Sequence, residues 1–140
     1  MRSESRRKTE SRGTILLDEA LFNRPERRPL SVEERSLLDW LIVNGNPGAE
    51  QFASQIAQLH VVGSCSCGCP SIDLAVGDRE ERTVGPSHVL ADFDGISPEG
   101  IKAGVILHAR EGQISELEVY AIEDVETPFS LPILSSLKKC

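Results

Sequence analysis

Apolar positions recur at two different periods along this 140-residue chain, and the change of period divides it. After Ser31, residues Leu37, Leu38, Leu41 and Ile42 fall at helical spacing beside Trp40, and Ser31 with Glu34 matches a capping box, so the pattern predicts a helix opening there. Asn44, Gly45, Asn46 and Pro47 end it. Pro47 then stands at the first position of a second predicted helix, in which Phe52, Ile56 and Leu59 follow at spacings of four and three. After His60 the period drops to two. Val61 and Val62 lead into a first strand, Ile72, Leu74 and Val76 alternate with Asp73 and Ala75 in a second, and His88 to Phe93 read as a third. A charged loop fills 77–86, and Gly95, Pro98 and Gly100 mark a turn.

The last two strands form a hairpin whose register follows from its faces. Ile101, Ala103, Val105 and Leu107 alternate with Lys102, Gly104, Ile106 and His108, while Leu117, Val119 and Ala121 alternate with Glu116, Glu118 and Tyr120. A loop of Glu111 and Gly112 alone would set Leu107 against Glu116 and mix the faces. A three-residue loop of Arg110, Glu111 and Gly112 instead pairs Val105 with Leu117 and Ala103 with Val119, and puts Gly112 where a left-handed residue is wanted. This is the predicted register. It places Lys102, His108, Glu116, Glu118 and Tyr120 on the face opposite the core.

The elements add up to an α+β fold in which two N-terminal helices pack on a mostly antiparallel sheet of four to five strands. A charged leader, 1–13, is expected to be disordered, with one domain over 14–140 and its core at 28–132; the apolar stretch 14–22 reads equally as a helical turn or an edge strand. Strand order stays open, since a meander and a split arrangement share this pattern.

Charge narrows the function classes. The net charge is −7, yet residues 1–28 hold eight basic against five acidic side chains, leaving seven against seventeen for the remainder. An acidic domain without a basic stripe or interleaved aromatics argues against nucleic-acid binding and suits a basic protein partner. No apolar run approaches the roughly 20 residues of a membrane span. The opening is charged and lacks the apolar segment of a secretory signal, which points to the cytoplasm and to reduced cysteines. Self-association is left open.

Three of the four cysteines, Cys65, Cys67 and Cys69, stand in a C-x-C-x-C run closed by Pro70. Thiolates are soft ligands and strong nucleophiles, so the run is a candidate metal or redox site. In an extended strand the three sulfurs would lie roughly 6.5–7 Å apart, too far for one ion with metal–sulfur bonds near 2.3 Å. A metal site therefore demands a tight turn, which Gly68 and Pro70 favour. Zinc or copper(I) is the expected ion, with His60, His88, Asp73 or Cys140 as the candidate fourth ligand. Two other readings compete: a redox or nucleophilic thiol at Cys67 or Cys69, weakened by the absence of C-x-x-C, and plain packing of small apolar side chains under a turn. A second candidate is the polar sheet face, where Glu116 and Glu118 lie near His108, an arrangement suited to acid–base chemistry but also ordinary for a solvated face.

The strings Arg28-Pro29-Leu30-Ser31, Gly63-Ser64-Cys65-Ser66-Cys67-Gly68-Cys69-Pro70-Ser71-Ile72-Asp73 and Gly112-Gln113-Ile114-Ser115-Glu116-Leu117-Glu118-Val119-Tyr120 together resemble a family of small bacterial proteins with no established activity, over roughly residues 28–132. The resemblance transfers no catalytic residue. The last hairpin also resembles those of small bacterial immunity proteins, which act by binding a toxin. On the sequence, the favoured reading is a non-enzymatic binding module that meets its partner through Lys102, His108, Glu116, Glu118 and Tyr120. A metal protein using the cysteine turn is the first rival, and a thiol or acid–base enzyme the second.

Overall fold

The computed structural model describes residues 27–123, 125 and 127–140; the predicted leader and the stretch 14–22 lie outside them. Strand β1, Arg28–Pro29, leads into helix α1, Val32–Asn44. The capping box forms as predicted: the Glu34 amide donates to Ser31 Oγ at 3.0 Å, and the Ser31 amide donates to Glu34 Oε1 at 2.8 Å. Arg28 adds a fork, its two terminal nitrogens donating to Glu34 Oε1 and Oε2 at 2.9 and 2.8 Å. Burial would raise the Glu34 pKa, but the hydrogen bonds from Arg28 and Ser31 outweigh it and hold the carboxyl below its ordinary value.

One face of α1 buries Leu37, Leu38, Leu41 and Ile42, each contributing about 1.5–3 kcal/mol if its side chain is fully removed from water. The helix ends against the sheet. A Cβ on Gly45 would lie 2.4 Å from the Leu90 carbonyl oxygen and 2.6 Å from that of Leu41, so only glycine admits this approach. Asn46 then donates its amide to Leu90 O at 2.8 Å and its side chain to Val89 O at 3.1 Å.

The second predicted helix is instead 3₁₀ winding over Ala49–Gln58, entered through left-handed Gly48. Pro47 precedes it rather than opening it, and Leu59 already belongs to a strand. Only Ala49 and Ile56 of this segment are buried, so few apolar contacts define it. Gln55 gives it a second anchorage, donating to Gly112 O at 2.9 Å and accepting from the Ile114 amide at 2.8 Å.

Five longer strands follow: β2 Leu59–Ser64, β3 Ile72–Val76, β4 His88–Ile96, β5 Lys102–Arg110 and β6 Gln113–Ala121, with β7, Lys138–Lys139, at the end. They form one sheet in the order β1-β2-β3-β6-β5-β4-β7, and every pairing is antiparallel. The expected two N-terminal helices on four to five strands is thus corrected. The sheet has seven strands and dominates the described residues, and its two extra members are two-residue edges that cannot display a hydrophobic period. Residues before 27 are not described, so neither helical segment is assigned as N-terminal. No described helix is long and apolar enough to cross a membrane.

The hairpin register is corrected too. Arg110 pairs with Gln113, leaving the two-residue loop Glu111-Gly112, whose φ values of 53° and 77° are those of a type I′ turn. A bulge between His108 and Ala109 then absorbs the extra residue, so that Leu107 meets Leu117 and Val105 meets Val119. The predicted partners are off by two positions. Because two is the period of a strand, the faces come out as expected: Leu107, Leu117, Val105, Val119 and Ala103 point to the core under α1, with Leu74 and Phe93.

The link from β3 to β4 crosses β6 and β5 on the opposite, polar face. It is held there by the Thr83 hydroxyl on Arg110 O at 2.7 Å and by Arg110 Nε on Gly85 O at 3.1 Å.

Candidate metal centre

The β2–β3 connection turns tightly through the cysteine run. Ser64 pairs with Ile72, and the Cys65 amide donates to Ser71 O at 3.3 Å. Gly68 is left-handed, φ 96°, with its open side 3.4 Å from Pro128, so the turn needs this glycine for its conformation. Ser71 fastens the exit to β6: its hydroxyl donates to Val119 O at 2.9 Å and accepts from the Val119 amide at 2.8 Å.

This turn converts an extended C-x-C-x-C ladder into a cluster. The three sulfurs all lie within 4.8 Å of one another. The Cys67 thiol donates to Cys69 Sγ at 2.8 Å, and the amides of Cys67 and Cys69 each donate to the preceding cysteine sulfur at 3.4 Å. Cys65 and Cys67 are exposed and Cys69 half-buried; all are free thiols. Burial pushes the Cys69 thiol up, but hydrogen bonds from Cys67 and Ser71 outweigh it and bring its pKa down to about 7. Cys65 goes the other way, to about 11, chiefly because its thiol is hydrogen-bonded to Cys67. The arrangement thus favours the thiolate at Cys69 over that at Cys65 near neutral pH.

The candidate fourth ligands are dispersed. His60 sits on β2 opposite Ala75, with Nδ1 3.1 Å from the Arg27 guanidinium. His88 begins β4 and meets the Phe52 ring edge-on at 6.2 Å. Cys140 lies at the other side of the sheet, its thiol donating to Asp92 Oδ1 and Asp94 Oδ1, both at 3.2 Å; burial, with these two carboxylates, pushes its pKa up to about 12. Asp73 comes nearest in the fold, lining with Cys65, Cys69, Ser71, Glu118 and Tyr120 a cavity of about 330 Å³. It also lies 3.6 Å from Arg82. Among the described residues, no His, Asp, Glu or further Cys joins the three sulfurs at ligating distance.

The polar face brings together His108, Glu116 and Glu118, whose ligating atoms also lie within 4.8 Å of one another. His108 Nε2 is 2.8 Å from Glu118 Oε1, and its Nδ1 is 2.5 Å from Ser87 Oγ. Glu116 Oε1 lies between two guanidiniums, Arg82 at 2.8 Å and Arg110 at 3.2 Å. Ser87 and Arg82 were not singled out in the sequence, and Arg110 was expected only as a loop residue; the first two reach the face only because the β3–β4 link crosses it. Lys102 opposes Ile96 at the far end of the face and is exposed. The Tyr120 ring lies over Gly104, where a Cβ would come 2.3 Å from Cζ. Burial, then the charges of Asp92 and Asp94, raise the Tyr120 pKa.

No family model matches the chain, and comparison with curated proteins and with solved structures finds no similar one.

Proposed function

We propose that this chain binds one soft metal ion, zinc or copper(I), through Cys65, Cys67 and Cys69. One observation carries the reading: the hairpin turn gathers three thiols to within 4.8 Å, a spacing that an extended C-x-C-x-C strand forbids. The Cys67 and Cys69 amides donate to the Cys65 and Cys67 sulfurs at 3.4 Å, contacts that metal-bound thiolates can keep. Exposed free thiols fit a reducing compartment such as the cytoplasm. The test is alkylation of the reduced protein read by site-resolved mass spectrometry, with and without zinc or, anaerobically, copper(I). A bound ion should protect Cys65, Cys67 and Cys69 and leave the slow modification of Cys140 unchanged; no protection of the three by either ion would refute it.

A second reading, contact with a basic protein partner through the polar face, draws on the exposed Tyr120 ring beside Asp92 and Asp94. Glu116, Glu118 and His108 are already engaged within the chain, whereas Asp92 and Asp94 on β4, which accept only the Cys140 thiol, have no salt bridge among the described residues. Asp92→Lys with Asp94→Lys should abolish such binding and its salt dependence, while leaving metal binding intact.

A further inference from the structure

Resting on the metal reading, we infer that the turn is a three-coordinate copper(I) site rather than a zinc site. Zinc in protein sites takes four ligands, and structural zinc sites supply all four from side chains. Here the fourth is missing among the described residues. The carboxylates of the adjoining cavity do not complete the set: none joins the group of three sulfurs, Glu116 is paired with Arg82 and Arg110, Glu118 with His108, and Asp73 keeps a long 3.6 Å contact with Arg82. An open zinc–water site would use the same three sulfurs, and competition between the two ions separates it from copper(I).

Copper(I) has no such deficit. It is soft and selects thiolates, and three of them complete a trigonal shell. A triangle of sulfurs about 4 Å on each side places an ion at its centre about 2.3 Å from each sulfur, a metal–thiolate bond length. The cluster approaches this triangle, with every sulfur pair within 4.8 Å; the Cys67–Cys69 pair, at 2.8 Å, has only to open by about 1 Å around an ion. Gly68 and the exposed Cys67 give the turn the freedom for that opening. Binding exchanges protons for the ion: those of the three thiols that still carry a proton lose it to solvent and three sulfur–copper bonds form, with no change in oxidation state.

The experiment is anaerobic titration of the reduced full chain with copper(I) against bicinchoninate, alongside zinc against a zinc-responsive chromophore. X-ray absorption of the copper-loaded protein then reads the shell. One copper(I) per chain, about a thousandfold or more tighter than zinc, with a shell of three sulfurs and no nitrogen or oxygen, is the expected result. Each single Cys→Ser change at 65, 67 or 69 should weaken it, with circular dichroism showing the fold retained. Zinc held at one per chain and not displaced by copper(I) would overturn the copper assignment while sustaining the metal reading. A two-sulfur shell insensitive to Cys65→Ser would overturn three-coordination, and failure of both ions to bind would overturn both claims.

Discussion

Single residues decide the two turns that matter. At the β5–β6 hairpin, Gly112 was legible as left-handed, but Glu111 at φ 53° was not, because glutamate carries no sequence signal for that conformation. Missing it turned a two-residue loop into three and hid the bulge that restores the faces. Gly112→Ala should destabilise the protein by about 1 kcal/mol, and Glu111→Asn should stabilise it by a few tenths, roughly 0.5 kcal/mol; urea midpoints of the two variants check both signs. At the cysteine turn, the sequence showed that a cluster requires tight turning but not which thiol ionises. Cys69 has its pKa lowered to about 7, Cys65 raised to about 11 and Cys140 to about 12. Since only the thiolate reacts, iodoacetamide should modify Cys69 with a midpoint near neutrality in metal-free protein, well before Cys65 and Cys140. Site-resolved mass spectrometry across pH 6–10, a range of about four units spanning the ordinary thiol value, reads this order; equal profiles would refute it.

Among the elements, α1 was readable because its start is chemical: Ser31, Glu34 and a four-residue apolar stripe each specify the same helix. The 3₁₀ segment was misread as α-helix because Phe52 and Ile56 keep helical spacing while its anchorage, Gln55 on the distant hairpin turn, is tertiary. The edge strands were invisible for lack of length. The cap makes a pH prediction. Glu34 has a folded pKa below its unfolded value, so its stabilisation is present above the unfolded value of about 4.5 and is lost as pH falls through the folded one. Glu34→Gln should therefore cost about 1 kcal/mol at pH 7 through loss of the half-exposed Arg28 pair. The gap between variant and parent in urea unfolding should close as pH falls from 5 to about 3, both near the carboxylate range. A gap unchanged with pH would contradict the ion-pair account.

At the scale of the whole molecule, the pairing of β3 with β6 and the crossing link over the polar face were beyond the local pattern, since both join residues remote in sequence. The cysteine cluster was legible for the opposite reason, its members being two apart. Its expected fourth ligand was not: His60, His88 and Cys140 lie away from the turn, and Asp73, though it lines the adjoining cavity, does not join the three sulfurs. The crossing link also explains why the polar face is less available than alternation implied: Arg82 engages Glu116 and Ser87 engages His108. Arg82→Ala should cost about 1 kcal/mol, the worth of a partly exposed ion pair. It should raise proteolysis or amide exchange within 77–87 while leaving the sheet core protected.

The most direct test of the central claim is metal content per chain, by native mass spectrometry with elemental analysis, on protein purified without chelators or a metal-binding tag. The account predicts one soft metal ion in the parent chain and none in the Cys65→Ser, Cys67→Ser, Cys69→Ser triple variant, with the fold of both intact by circular dichroism. Metal-free parent protein that stays metal-free after anaerobic loading with copper(I) or zinc, its thiols all reduced, would contradict it.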